Sequence, residues 1–220
     1  MKKTAVVASL LLLLLSAFHA MAQETVKLPK PDLTSKVSFA EVINKARTNA
    51  IFSQPPVSAA DISSILWIAG GRRFNVDSVS GASRAYPSTF ARYPIHLYLL
   101  VANVAGIKAG IYQYVPEEHA LKLLVSGDLR EEAVKGVIYA TAVTSASATV
   151  VLAVDMTQNK ARYSDHPWLS MELGFLAETI SLTAASRGRA ISIVSEVDPE
   201  KEKALFKTNE DPLLFLPIGN

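Results

Sequence analysis

Hydrophobic positions in the first part of the chain follow a helical period. Between residues 38 and 48 the spacing is that of a capped helix, because Ser38 stands three residues before Glu41 and apolar residues follow at intervals of three or four. A second helix begins in the same way at Ser58, and the pattern stops at Gly70. The pattern therefore predicts that the folded part of the chain opens with two amphipathic helices.

Beyond residue 90 short apolar runs typical of strands replace the helical period. The runs are separated by a turn-rich hairpin connection and by three further helical patterns, which begin at Asp128, Pro167 and Asp198. The first of these helices is predicted to run to about Ala140, and the second, the longest, to end at Gly188. Helices followed by a mixture of hairpin and crossover strands predict one α+β domain with a mixed sheet. The predicted strands are 95–101, 111–115, 121–125, 149–155, 190–194 and 213–218.

The first 22 residues have the three parts of a secretory signal. Lys2 and Lys3 supply the charged start, residues 5–15 form an apolar run, and Ala-Met-Ala ending at Ala22 is a small-x-small cleavage site. The apolar run is shorter than the roughly 20 residues that a membrane span needs. No cysteine follows the run to take a lipid. We therefore expect cleavage, and a mature protein in the periplasm or outside the cell without a membrane attachment.

Composition narrows the function classes. The chain has 22 basic and 20 acidic residues, and loss of the two lysines of the signal leaves a neutral mature chain. Neutrality argues against a nucleic-acid partner, which usually requires a basic excess. Cysteine is absent, so disulfides, thiolate metal sites and cysteine nucleophiles are excluded. The remaining length, about 198 residues, suits a leader over 23–36 and a single domain over 37–220.

Common catalytic and metal-binding motifs are absent. The three histidines after the signal, His96, His119 and His166, show neither an HExxH arrangement nor an i, i+4 pair, so we predict no metal site. No GxSxG, P-loop or strand-following GxGxxG occurs either. The sequence therefore gives no support to an interpretation as a hydrolase or as a dinucleotide-binding Rossmann protein.

Two segments carry candidate chemistry. Residues 80–94, SGASRAYPSTFARYP, combine arginines with hydroxyl side chains, which suits either a solvated chain reversal or a loop that holds an anion. Glu172 lies in the second turn of the long helix, where the helix dipole alone accounts for an acid. Two residues later, Gly174 would let another backbone or a flat ligand come close.

The order of three segments resembles the FMN-dependent nitroreductase superfamily, most closely its SagB-type dehydrogenase branch. The first is RTNAIF at 47–52, which follows the first helix and precedes the ISSILWIAGG helix. The second is RAYPS at 84–88, followed by a strand and by the hairpin sequence GIYQYVPEEHALKLL. The third is ELG at 172–174, near the start of the long helix. Together they extend the resemblance over residues 38–219.

The resemblance implies a nitroreductase-like fold, with a central mixed, largely antiparallel sheet flanked by helices. It also implies a homodimer with FMN at the subunit interface and two-electron chemistry on a small organic substrate, whose identity nothing in the sequence selects. The resemblance also makes Arg84, Arg92 and Arg187 candidate cations for the FMN phosphate, in addition to the residues given in the next sentence. The cofactor-binding residues that the resemblance implies are Arg47 and Thr48 at the phosphate, Pro87, Ser88 and Thr89 along the polar edge of the ring, Glu172 and Gly174 near the ring, and Arg189 as a substitute phosphate cation.

The sequence departs from the family pattern in two places. Ala46 and Ala50 stand where basic residues are common in the family, which thins the phosphate segment. Phe90 stands where the residue is usually small, so that a bulky ring is predicted to fill the loop. These departures favour an alternative, a non-catalytic binding or accessory protein of the same fold that has lost FMN.

Overall fold

The computed structural model describes residues 24–46, 48, 50–53, 55–72, 84–138, 140–156 and 167–220. Three predicted features lie outside these residues: the signal peptide over residues 1–22, the phosphate ligand Arg47 and the last histidine, His166.

Nine strands form one large and one small sheet within the described residues. The large sheet has seven strands in the order β1-β6-β5-β3-β7-β9-β8, and every neighbouring pair in it is antiparallel. Parallel pairing is found, within the same residues, between β2 and β4 and at an isolated bridge from Thr48 to Ile191. The predicted largely antiparallel sheet is confirmed. The strands are β1 Thr25–Lys27, β2 Val57–Ser58, β3 Ile95–Val101, β4 Val104–Ala105, β5 Gly110–Val115, β6 Ala120–Ser126, β7 Ala148–Val154, β8 Ala190–Ile191 and β9 Asp211–Gly219.

Helices flank the sheet, and their ends match the capping signals in the sequence. The Ser58 hydroxyl accepts a hydrogen bond of 3.0 Å from the Asp61 amide, and Ser38 caps the first helix in the same way. Gly188, at a φ of 70°, follows the longest helix, as the sequence predicts. The helices are α1 Phe39–Lys45, α2 Ala59–Gly70, α3 Arg130–Ala133, α4 Ala140–Ser145, α5 Trp168–Ser186 and α6 Pro199–Phe206.

The hydrophobic core lies on both faces of the sheet, so β7, an interior strand, is buried along its whole length. On one face, side chains of β3 and β7 such as Leu99 and Leu152 pack against α2 and α5. On the other face, Val151 belongs to a cluster that includes Phe206 of α6 and Val143 of α4. This arrangement fixes α2 and α5 as neighbours on one side of the sheet, and the candidate site is built there.

Three predicted elements differ from the structure. The helix predicted from Asp128 to Ala140 is instead α3, a 3-10 turn over Val134–Gly136 and then α4. The helix is interrupted because Val137 has an extended backbone conformation and forms a β-bridge with Val197. The first helix ends three residues early, at Lys45, and the strand predicted over 190–194 keeps only its first two residues.

The leader region is attached to the edge of the sheet. Strand β1 pairs antiparallel with β6, and Leu28 just after it is buried. The Asp32 carboxylate forms a salt bridge of 2.8 Å with Arg187, the residue that follows the C-terminus of α5. Across the described parts of the chain, we find no helix with the length and apolar character needed to cross a membrane.

Candidate functional site

The loop that precedes β3 has an unusual backbone. Three of its residues, Phe90, Ala91 and Tyr93, have φ angles of 55°, 52° and 51°, in the left-handed region that side chains disfavour by about 1–2 kcal/mol each. The Ser88 hydroxyl accepts a hydrogen bond of 2.8 Å from the Tyr93 amide and so holds the loop closed. The fold therefore maintains one defined conformation of this loop at a cost in backbone energy.

Helix α5 meets this loop at Glu172. The Thr89 amide donates a hydrogen bond of 2.7 Å to Oε1 of Glu172, although the two residues are 83 positions apart. Glu172 is 2% exposed, and its second carboxylate oxygen, Oε2, has no hydrogen-bond partner among the described residues. An unsatisfied buried oxygen costs about 1–3 kcal/mol, more for a charged group, so this atom is suited to accept a hydrogen bond from a ligand.

A cavity of about 230 Å³ lies between the loop and the helix. It brings together four of the residues predicted to bind a cofactor, Pro87, Ser88, Thr89 and Glu172. The helix completes the wall with Trp168, Met171 and Phe175. Sequence reasoning missed these three residues; their spacing along one side of the longest helix was the available signal.

Gly174 and Phe90 lie next to this cavity but do not line it. Apart from the neighbouring backbone of its own helix, no atom of the described residues lies within 4 Å of the point where a Cβ of Gly174 would stand, so the position is open. The prediction that Phe90 fills the loop is wrong, because its side chain is 80% exposed and packs edge-to-face on Trp168, with 6.1 Å between ring centroids. A left-handed backbone at Phe90 turns the ring outward and leaves the cavity free.

The residues predicted to bind the phosphate are less completely assembled than those predicted to lie along the flavin ring. Thr48 is exposed and close to β8 through its bridge to Ile191. Arg189 bonds Asp61 of α2 through Nε at 3.1 Å, and Arg187 pairs with Asp32. Both candidate cations therefore already have carboxylate partners.

The described residues contain no group of three or more histidine, aspartate and glutamate side chains that could hold a metal ion. His119 contacts Ser63, Tyr114 and the Pro29 carbonyl, and burial lowers its pKa. It serves to attach the leader to the domain.

Comparison with known proteins shows the family of the chain. A sequence profile of the nitroreductase family matches residues 43–220, so the chain belongs to the nitroreductase family. A protein of Methanocaldococcus jannaschii, provisionally described as a nitroreductase, is 25% identical over 198 residues, which are 89% of this chain and 97% of that protein.

Solved structures share the fold. A provisionally described nitroreductase from Ralstonia eutropha superposes with a TM-score of 0.72 at 22% identity, over 91% of this chain and 90% of the other. A structure from Staphylococcus epidermidis, provisionally described as an NAD(P)H:FMN oxidoreductase, superposes with a TM-score of 0.58 at 13% identity, over 87% and 91% of the two chains. The nitroreductase fold expected from the sequence is confirmed.

Proposed function

We propose that this protein is an exported FMN-dependent oxidoreductase of the SagB-type dehydrogenase branch, which acts as a homodimer on a small organic substrate. The observation that carries the proposal is the buried carboxylate of Glu172, which lines a cavity with one oxygen bound by the Thr89 amide and the other without a partner. Family membership supplies the class of chemistry. The three sequence segments that resemble the SagB-type branch support the narrower assignment.

The ring end of the site suits a flavin. A flavin ring carries an imide N–H, which is the kind of donor that Oε2 of Glu172 lacks. Pro87 and Ser88 offer a rigid wall on the loop side of the same cavity. When bound, FMN would supply the redox chemistry by taking up and passing on two electrons, while these residues orient it and exclude water.

The phosphate end is proposed to consist of Arg47, Thr48 and Arg189. Arg189 donates to Asp61 through Nε, and no hydrogen bond from its terminal nitrogens is found among the described residues, so these nitrogens are proposed to bind the anion. Thr48 bridges to Ile191 of β8, the strand that begins directly after Arg189, and this proximity supports assigning the two residues to one phosphate site. Arginine suits this role because it presents paired donors and keeps its charge.

A second copy of the chain is proposed to close the cavity. Met171 and Phe175 project from α5 with 50% and 42% of their surface exposed, and Phe90 adds a third apolar side chain beside them. Exposed apolar side chains grouped in this way are typical of an interface. The open position at Gly174 lies on the same helix and would let the second subunit or a ligand approach closely.

Export is proposed from the signal sequence, and cell fractionation tests it. The expected result is a periplasmic or extracellular protein whose N-terminus is Gln23. A full-length protein that begins at Met1 and stays in the cytoplasm would contradict this part of the proposal.

Cofactor binding is tested by refolding the mature protein with excess FMN and titrating the flavin by the quenching of its fluorescence. Because Arg47 is proposed to contact the phosphate, Arg47→Ala should weaken FMN binding at least tenfold, the effect of losing about 1.5–3 kcal/mol. Lys45→Ala is the matched control, since Lys45 lies two residues away, is exposed and pairs with Glu41. Equal losses in the two variants would show that Arg47 acts only through general charge.

The alternative, a binding or accessory protein without FMN, is favoured by one observation. Arg187 and Arg189 are each paired with an aspartate, which reduces the charge available for a phosphate. A colourless protein with no affinity for FMN, in spite of correct folding, would support this alternative over the oxidoreductase.

A further inference from the structure

A second cavity, of about 250 Å³, is lined by Arg84, which precedes Pro87 and Ser88 in the same loop. It is formed at the N-terminal end of β3 and the C-terminal end of β5, and among the described residues it shares no lining residue with the cavity at Glu172. Arg84, His96 and Gln113 give it polar groups, and Leu97 and Pro116 belong to its apolar wall. The proposed flavin chemistry leaves this cavity without a role.

Arg84 lacks a carboxylate partner in the part of the chain that the structure describes. The other half-buried arginines there, Arg130, Arg187 and Arg189, each pair with an aspartate. Arg84 instead donates through Nη1 to the Gly70 carbonyl and lies over the ring of Tyr93, 5.6 Å from the ring centroid. Its Nε is buried without a hydrogen-bond partner.

A partly buried cation that is balanced only by a carbonyl and a ring face is poorly compensated, because burial weakens its hydration. An anion beside Arg84 would supply the missing charge. Guanidinium groups bind carboxylates strongly because both are planar and form paired, charge-assisted hydrogen bonds. The cavity therefore has an electrostatic requirement that a carboxylate satisfies.

His96 adds an oriented ring to the same cavity. Its Nδ1 lies 2.5 Å from Oε1 of Glu210, and the Tyr98 hydroxyl donates to Oε2 of Glu210 at 3.1 Å. Since Nδ1 is taken by Glu210, Nε2 is the ring nitrogen that remains for a ligand. The hydrogen bond to Glu210 raises the pKa of His96, and Asp155 acts in the same direction, whereas burial and Arg84 oppose them. The protonated form, with an Nε2–H donor, is thereby favoured.

The charges of the cavity indicate a monoanion. Among the described residues that line it, Glu117 is paired with Arg72 at 3.9 Å and protonated His96 is offset by Glu210, which leaves the charge of Arg84; Asp155 acts on His96 but does not line the cavity. Hydrophobic side chains such as Leu97 provide contacts for an uncharged body. We propose that this cavity binds a small organic monocarboxylate, with its carboxylate at Arg84 and His96 and its apolar body against the wall of β3 and β5.

Calorimetric titration of the mature protein with benzoate tests this site, with and without FMN so that failure of the flavin proposal is seen separately. Benzoate should bind equally in both forms. Benzyl alcohol, which lacks the charge, and inorganic phosphate, which lacks the apolar body, should bind at least tenfold more weakly. Absence of benzoate binding, or equal binding of the three probes, would overturn the proposal.

Variants locate the site. Arg84→Gln should weaken benzoate binding at least tenfold, whereas Arg92→Gln, an exposed arginine of the same loop outside the cavity, should leave it unchanged. Affinity should fall as pH rises through the pKa of His96, and His96→Gln should remove that pH dependence. If Arg84→Gln does not fold, His96→Gln decides the question, since His96 is half exposed. A pH dependence that survives His96→Gln would contradict the assignment.

Discussion

Phe90 shows how a single residue combines strain with exposure. Its backbone adopts a left-handed conformation that glycine favours, and its ring lies outside the cavity on the surface. The sequence indicated that the position was unusual. It did not indicate the direction of the ring, because that direction follows from the local φ angle and from contact with Trp168, 78 positions away.

Phe90→Gly should therefore raise the free energy of unfolding by about 0.5–1 kcal/mol. The substitution removes the left-handed penalty and sacrifices only an exposed edge-to-face contact, which offsets part of the gain. Urea unfolding of the mature protein measures the difference. Phe39→Gly is the control, since Phe39 is also exposed but has a helical backbone in α1, where glycine is unfavourable. Loss of stability in Phe90→Gly would show that the ring contributes more than its backbone costs.

At the scale of elements, capping residues were the most informative part of the sequence. Ser38, Ser58 and Asp198 each begin the helix that the pattern predicts, because capping depends on neighbours only two or three residues away. The helix predicted after Asp128 fails because Val137 is extended and bridges to Val197, next to Gly136, which packs against Glu202 so closely that a Cβ would clash with Oε1. Such long-range packing leaves no periodic signal.

The packing of α6 on the 3-10 turn over Val134–Gly136 buries Glu202. Glu202 is 1% exposed, and its Oε2 has no hydrogen-bond partner in the described part of the chain. Burial, assisted by Asp198, raises its pKa from 4.5 to about 8. Between these two values the folded chain keeps a proton that the unfolded chain has released. Stability should therefore fall as pH rises through this range, by on the order of 1 kcal/mol per pH unit.

Glu202→Gln should remove this pH dependence. The variant should raise the melting temperature at about pH 8, where the unfolded chain has released the proton of Glu202. It should have little effect at about pH 5, close to the pKa of the unfolded chain, because near or below that pKa the glutamate is protonated in the folded and the unfolded chain alike. Thermal unfolding followed by circular dichroism measures both. Glu200→Gln, on the exposed side of the same helix, should change neither. An equal shift at both pH values would show that Glu202 acts through packing instead of charge.

At the scale of the whole molecule, the sequence predicted the fold class, the order of the main helices, six of the nine strands found in the described residues, and four residues that line the cavity. The hydrogen bond from Thr89 to Glu172 joins positions 83 apart, so no local pattern contains it. The exposed side of α5 was also missed, because spacing shows that a helix has apolar residues but not which of them the rest of the fold covers. The phosphate end remains a prediction, since Arg47 lies outside the described residues.

Dimerisation through α5 is tested by Phe175→Asp. A charge at this position should convert the proposed homodimer into a monomer, because an unpaired carboxylate would be buried in the interface. Light scattering after size-exclusion chromatography measures the mass. Ile193→Asp is the control, as Ile193 is a comparably exposed apolar residue outside α5. If wild-type protein is already a monomer, or if Phe175→Asp stays a dimer, this interface is wrong.

The central claim is that the cavity at Glu172 holds the ring of FMN, and FMN titration of Glu172→Gln tests it most directly. The side-chain amide introduced by this substitution can still accept a hydrogen bond from the backbone amide of Thr89, but it presents an N–H donor where Oε2 of Glu172 stood. We expect wild-type protein to bind FMN and quench its fluorescence, and Glu172→Gln to bind at least tenfold more weakly. Glu200→Gln, at an exposed position of α6 that lines neither cavity, should match the wild type. A wild-type protein without affinity for FMN, or a Glu172→Gln variant that binds as tightly as wild type, would contradict the account.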